Sequence, residues 1–178
     1  PTSVVTNWER EVRRFAPSLT TLVHQGPNRL RGEAFVEAAQ EVDMVLSSYA
    51  IVRRDAESMQ AVSWLCVVLD EAQNIKNPAA KQTQAVRQLP ADFRLALTGT
   101  PVENRLSELW SIIHFLNPGY LKSRQAFRQD FALPIERYGD EEATQQLKTM
   151  VGPFIVSKPT PASSRICPTR LRRRFIAT

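Results

Sequence analysis

At 178 residues, the chain is long enough for one domain with a real core and too short for two full ones. Its content of 43% apolar and 23% charged residues is that of an ordinary globular protein, and no apolar run approaches the ~20 residues that a membrane helix needs. The net charge of +5 suggests nucleic acid, but residues 157–178 hold Lys158, Arg165, Arg170, Arg172, Arg173 and Arg174 and no acid, which leaves a body, 1–156, of 17 basic and 18 acidic residues with a net charge of −1.

The N-terminus, "PTSVVTNWER", has no signal-peptide layout and no initial Met, and reads as the interior of a longer protein. Val5, Trp8, Val12 and Phe15 then recur at helical spacing over 5–15. Residues 19–24 read as a strand, 33–40 as a short helix, 42–49 as a buried strand with a polar turn, and about 50–62 as a helix. "WLCVVLD" (64–70) is the strongest strand, an unbroken apolar run of the kind found in parallel sheets covered on both faces. A helix over 79–89 starts just after Pro78, and a strand over 93–98 ends in Gly99-Thr100-Pro101. A helix over 108–116 stops at Pro118-Gly119, and 123–131 and 140–151 are helical. The alternation predicts an α/β domain with a mainly parallel sheet flanked by helices.

Ligands of such sheets sit beyond the carboxyl ends of the strands. The polar residues there are Ser47-Ser48-Tyr49, Asp70-Glu71 and Thr98-Gly99-Thr100. Neighbours on an extended chain point to opposite sides, so Asp70 and Glu71 cannot clamp one ion together. They can divide labour: one carboxylate holds Mg²⁺ through water, and the next orients the water that attacks a phosphate. Equally, such a pair ends many strands before a helix N-terminus, where acids are favoured. Cys66 and Cys167 form no disulfide framework and no metal spacing; Cys66, in an apolar run, is a small core residue. His24 and His114 have no partner visible in the sequence and read as structural. Cytoplasm, with bacterial nucleoid association, is the expected location.

The company of Asp70 and Glu71 narrows the choice. "LDEAQNIKNP" (69–78) resembles the Walker-B motif of the Swi/Snf-type ATPases of helicase superfamily two, with Gln73 (a DEAQ box) where most members carry His. "LALTGTPVENRLSELWSIIHFLNPGYL" (95–121) resembles their third motif, "PTSVVTNWEREVRRFAP" (1–17) motif Ia, and "LSSYAIVRRD" (46–55) motif Ib. "FRQDFALPIE" (127–136) and "VGPFIV" (151–156) match later landmarks, so the resemblance covers about 1–156. It implies most of a first RecA-like P-loop NTPase lobe from an ATP-dependent, helicase-like translocase on double-stranded DNA, partnered by a second RecA-like lobe. It also implies roles: Asp70 for Mg²⁺, Glu71 for water activation, Gln73 as a relay of nucleotide state, and Thr98, Gly99 and Thr100 for coupling hydrolysis to movement. Ser3, Asn7, Trp8, Ser48 and Tyr49 would lie near the DNA backbone; for Trp8, core packing on helix 5–15 is an equal reading. Contacts of this type position phosphates without reading sequence.

The lobe is incomplete. None of the six glycines (Gly26, Gly32, Gly99, Gly119, Gly139, Gly152) is followed by Lys, so the chain has no P-loop; in the resembling family that loop would precede Pro1. A chain without it is expected to be a non-catalytic truncated or pseudogene product, with a DNA- or protein-binding remnant as a further reading. The tail 157–178 has no apolar periodicity and reads as disordered. Back-translated with permitted codons and read two bases in, it becomes "KTDPGIIADLPDKIETKVYCN", which contains the family's "KTD" and "DLPDK" in order. That points to a frameshifted continuation.

Overall fold

The computed structural model describes residues 2–99, 106–156 and 175–177. The chain divides into two compact units, Pro1–Pro101 with Arg172–Thr178, and Val102–Leu171.

The first unit is built on a five-stranded sheet: β1 (Thr21–Val23), β2 (Met44–Leu46), β3 (Trp64–Leu69), β4 (Ala91–Ala96) and β5 (Phe175–Ala177). Its order is β1-β2-β5-β3-β4, and all four pairings are parallel. Each step in a parallel sheet needs a crossover. These are supplied by α2 (Gly32–Glu41), then α3 (Tyr49–Arg54) with α4 (Ala56–Gln60), then α5 (Lys81–Arg87). The N-terminal helix α1 (Thr2–Phe15) buries Val5 with Leu46, Cys66 and Val68 of the sheet, and Trp8 packs against the same cluster. Cys66 is thus the core residue expected, and burial pushes its thiol pKa up.

The sequence-derived elements appear with shifted bounds. The expected helix over 50–62 is broken at Asp55, which leaves the helical region at φ −108°, ψ 31° because its side chain is engaged elsewhere. The largest departure concerns the tail. Residues 175–177 were expected to be disordered, yet they form β5 between β2 and β3, with Ile176 fully buried. Residues 157–174 and 178 lie outside the described residues.

The second unit opens with α6 (Leu106–Leu116), whose Leu106, Leu109, Trp110 and Ile113 face a core completed by Phe127, Phe131, Leu147 and Val151. The expected helix over 123–131 is α7 (Arg124–Phe127), capped by the Ser123 hydroxyl and continued by a widened π turn, Arg128–Ala132. A further helix, α8 (Leu133–Tyr138), follows the π turn without a break and carries Pro134 as its second residue. It ends at Gly139, φ 65°, and α9 (Glu141–Val151) follows under an Asp140 cap.

Candidate functional site

β3 delivers Asp70 and Glu71 to the carboxyl edge of the sheet. Leu69 pairs with Ala96 at the last rung. Two further bonds tie the loop to the end of β4: Leu97 N–H donates to the Leu69 carbonyl at 2.7 Å, and Ala72 N–H to the Leu97 carbonyl at 2.8 Å. Between them the backbone of Glu71 turns through the left-handed region, φ 50°, ψ 52°. A side chain there costs roughly 1–2 kcal/mol, and such outliers collect at functional sites. The turn leads into a short 3₁₀ segment, Ala72–Ile75, anchored by the buried Ala72 and Ile75.

Both oxygens of the Asp70 carboxylate are held. Oδ1 accepts the Glu71 backbone N–H at 2.9 Å, and Oδ2 accepts the Trp8 indole N–H at 2.9 Å. The Tyr49 hydroxyl donates to the Asp70 carbonyl at 2.8 Å. Glu71 Oε2 accepts from Gln73 Nε2 at 2.6 Å, and Gln73 Oε1 accepts from the Thr98 hydroxyl at 2.9 Å. One chain of bonds therefore runs from the acid loop after β3 to the end of β4. A cavity of about 10 Å³, roughly one water, lies among Ser47, Ser48, Tyr49, Asp70 and Glu71.

Most of the residues singled out in the sequence meet here. Asp70, Glu71, Gln73 and Thr98 form one bonded set. Gly99 follows Thr98 at an exposed bend, and Thr100 lies outside the described residues. Of the residues expected near DNA, Asn7 is exposed and its side-chain oxygen accepts from Arg10 at 3.3 Å. Ser48 is half-buried at the start of α3 and makes no capping bond. Ser3 lies in α1, its side chain outside the description. Tyr49 is buried and points its hydroxyl inward to Asp70, and Trp8 does the same with its indole N–H.

Asp70 suits Mg²⁺. A carboxylate whose two oxygens each accept one N–H keeps a lone pair on each, and Mg²⁺ is commonly held by one or two carboxylates, waters and substrate phosphates. Among the described residues no group of three or more His, Cys, Asp or Glu forms a closed metal cage.

A second polar cluster escaped the sequence reading. Asp55 accepts from Arg29 through Nε at 2.5 Å and Nη2 at 2.7 Å, and pairs with His24 Nε2 at 2.9 Å. Its pKa lies below the ordinary value, chiefly through the Arg29 bonds. Burial lowers the pKa of His24 and outweighs the opposing pull of Asp55. Both histidines therefore have partners: His24 here, and His114 stacked on Trp110 at 4.6 Å. Nothing in local spacing links residues 24, 29 and 55, so only the fold exposes this clamp.

Comparisons with known proteins identify the family and the fold. Residues 1–166 match the model of the SNF2-related domain. The chain is 46% identical over 158 residues to a putative ATP-dependent helicase/translocase, YwqA, of Bacillus subtilis, covering 89% of this chain and 17% of that protein. It is 31% identical over 160 residues to the ISWI chromatin-remodeling complex ATPase ISW1 of Saccharomyces cerevisiae, covering 89% and 14%. Among solved structures, the Sulfolobus solfataricus SWI2/SNF2 ATPase core in complex with double-stranded DNA superposes with a TM-score of 0.78 at 43% identity, over 88% of this chain and 32% of that one. The chain thus spans less than a fifth of these two curated relatives.

Proposed function

Because the chain belongs to the SNF2-related domain family, we propose that the edge built on Asp70 and Glu71 is half of an ATP-hydrolysing site in a double-stranded-DNA translocase, and that this chain forms most of the first RecA-like lobe. The observation that carries the reading is the bonded set running from Glu71 through Gln73 to Thr98, with Glu71 held in a strained backbone at its head. Asp70 would hold Mg²⁺ through water. Mg²⁺, when bound, neutralises charge on the nucleotide phosphates. Glu71 orients the attacking water, and its bond to Gln73 keeps the carboxylate from swinging away. Any shift of Thr98 is felt at Glu71 through one intervening amide, which suits a relay between hydrolysis and movement. The exposed Asn7 and the half-buried Ser48 suit phosphate contacts without sequence reading. Tracking along the duplex fits these parts better than strand separation.

A second reading applies to the chain by itself. No glycine here is followed by Lys, so the backbone cradle for the phosphates is not in these 178 residues. We infer that the isolated chain neither holds ATP tightly nor turns it over. ATPase activity measured with and without duplex DNA decides: the expected result is none above a Glu71→Gln control. DNA-stimulated turnover that Glu71→Gln abolishes would overturn the inactive-fragment reading and establish the site.

The tail is proposed to be a frameshifted reading of the family's continuation. With those permitted codons, Phe175-Ile176-Ala177 overlaps Val-Tyr-Cys in the shifted frame. Sequencing the coding DNA tests this: a stop codon in the alternate frame across 157–178 refutes it.

A further inference from the structure

Two helices expected to lie near DNA both reach the same acidic residue. From α1 the Trp8 indole N–H takes the side chain of Asp70, and from α3 the Tyr49 hydroxyl takes its carbonyl. We propose that Trp8 is a positioning residue, through which α1 sets the plane of the Asp70 carboxylate and passes on the presence of duplex DNA to it. This deepens the proposed function and rests on it for the identity of the DNA.

The indole N–H is the only polar group of a tryptophan, and here it is spent on an anion, a stronger bond than a neutral one. The Glu71 N–H fixes one oxygen of Asp70 from within its own loop. That single bond leaves the carboxylate able to rotate about it. The Trp8 bond fixes the second oxygen from a different element, so the plane of the carboxylate follows α1. The helix is amphipathic in the sense this role needs. Its inner face is seated by Val5 and Val12, while Asn7, Arg10, Glu11, Arg13 and Arg14 face outward, Arg13 paired with Glu9, so that three arginines against two glutamates leave the helix mildly basic. A polyanion drawn to that outer face acts on the element that carries Trp8. Packing alone would not aim the indole nitrogen at a carboxylate oxygen.

The test uses the whole chain labelled with ¹⁵N at its three tryptophan indoles. The Trp8 signal is assigned by its loss in Trp8→Phe. The Trp64 indole, which donates to the Met59 carbonyl at 2.9 Å, serves as the internal standard for an intact fold. In Asp70→Ala the Trp8 indole proton is expected to move upfield and exchange faster with water while Trp64 stays in place. Asp70→Asn, which keeps an oxygen acceptor and the side-chain volume, is expected to give an intermediate shift and serves as the second variant should the alanine form disturb Trp64. A short mixed-sequence duplex, whose binding is followed separately by fluorescence anisotropy, should move the Trp8 signal and leave Trp64 unchanged. A Trp8 signal indifferent to both Asp70 variants overturns the bond. Binding by anisotropy with a stationary Trp8 signal overturns the coupling. A duplex that does not bind refutes the DNA reading and the coupling with it, while the Asp70 variants still decide the positioning bond.

Discussion

β3 and β4 are neighbours of equal length in one parallel ladder, and both are rich in apolar residues. β3 is buried along almost its whole length; β4 leaves Phe93 at 59% and Leu95 at 53% exposed. Part of the difference lies in the side chains, since β4 carries Asp92 and Arg94 where β3 is apolar throughout, and part in position. β3 has a strand on each side, whereas β4 is the last in the order. Burial is set as well by what the sheet places beside a strand, and an apolar strand at the border of a parallel sheet presents an unpaired ladder together with a sticky face. The opposite border is treated differently. Just beyond β1, His24 is buried and tied through Asp55 to Arg29, while β4 has apolar exposure at the comparable place.

The sharpest way to break this comparison is to truncate one apolar side chain in each strand. Leu69→Ala, at a fully buried end of β3, should cost about 2–5 kcal/mol, read as a fall in the urea midpoint. Acid should loosen the pinned border first. Burial keeps the folded His24 below its ordinary 6.5, so the unfolded chain takes up the proton that the folded chain refuses. Stability is therefore complete above about pH 6.5 and declines as pH falls through that value. Asp55, lowered from 3.8, adds a further loss below that range. Thermal melts from pH 7.5 to 5 should show the decline, and His24→Gln should flatten it. Glu71→Gly relieves the left-handed strain and should raise stability by about 0.5–1 kcal/mol after the entropy cost of glycine, a gain read in the same melts. Smallest of all, Phe93→Ser on β4 should leave stability within about 0.5 kcal/mol while lowering self-association, measured by light scattering during concentration.

The contrast also explains what was legible in the sequence. "WLCVVLD" announced β3 because a strand covered on both faces needs an unbroken apolar run. The spacing of Val5, Trp8, Val12 and Phe15 announced α1 because one helical face meets the sheet, although Phe15, at the helix end, is exposed. Asp70 and Glu71 were legible as a strand-end pair, and the role proposed for them rests on the resemblance of the surrounding motifs. What failed was long-range. Asp55 breaks a helix to reach residues 24 and 29, and no local pattern encodes that partnership. Trp8 and Tyr49 have apolar bodies with single polar tips, and spacing reports the body but not where the tip is aimed. β5 lies in a segment without apolar periodicity, so nothing local marked it as a strand.

The all-parallel register has a kinetic consequence. None of the five strands can pair through a tight hairpin, so every rung waits for a distant segment to arrive. Chains of such high contact order fold slowly, and apolar strands stay unprotected for that interval. The yield of soluble protein should therefore depend on how fast the chain is made, and slowing its synthesis by growth in the cold should recover material that warm, rapid expression sends into inclusion bodies.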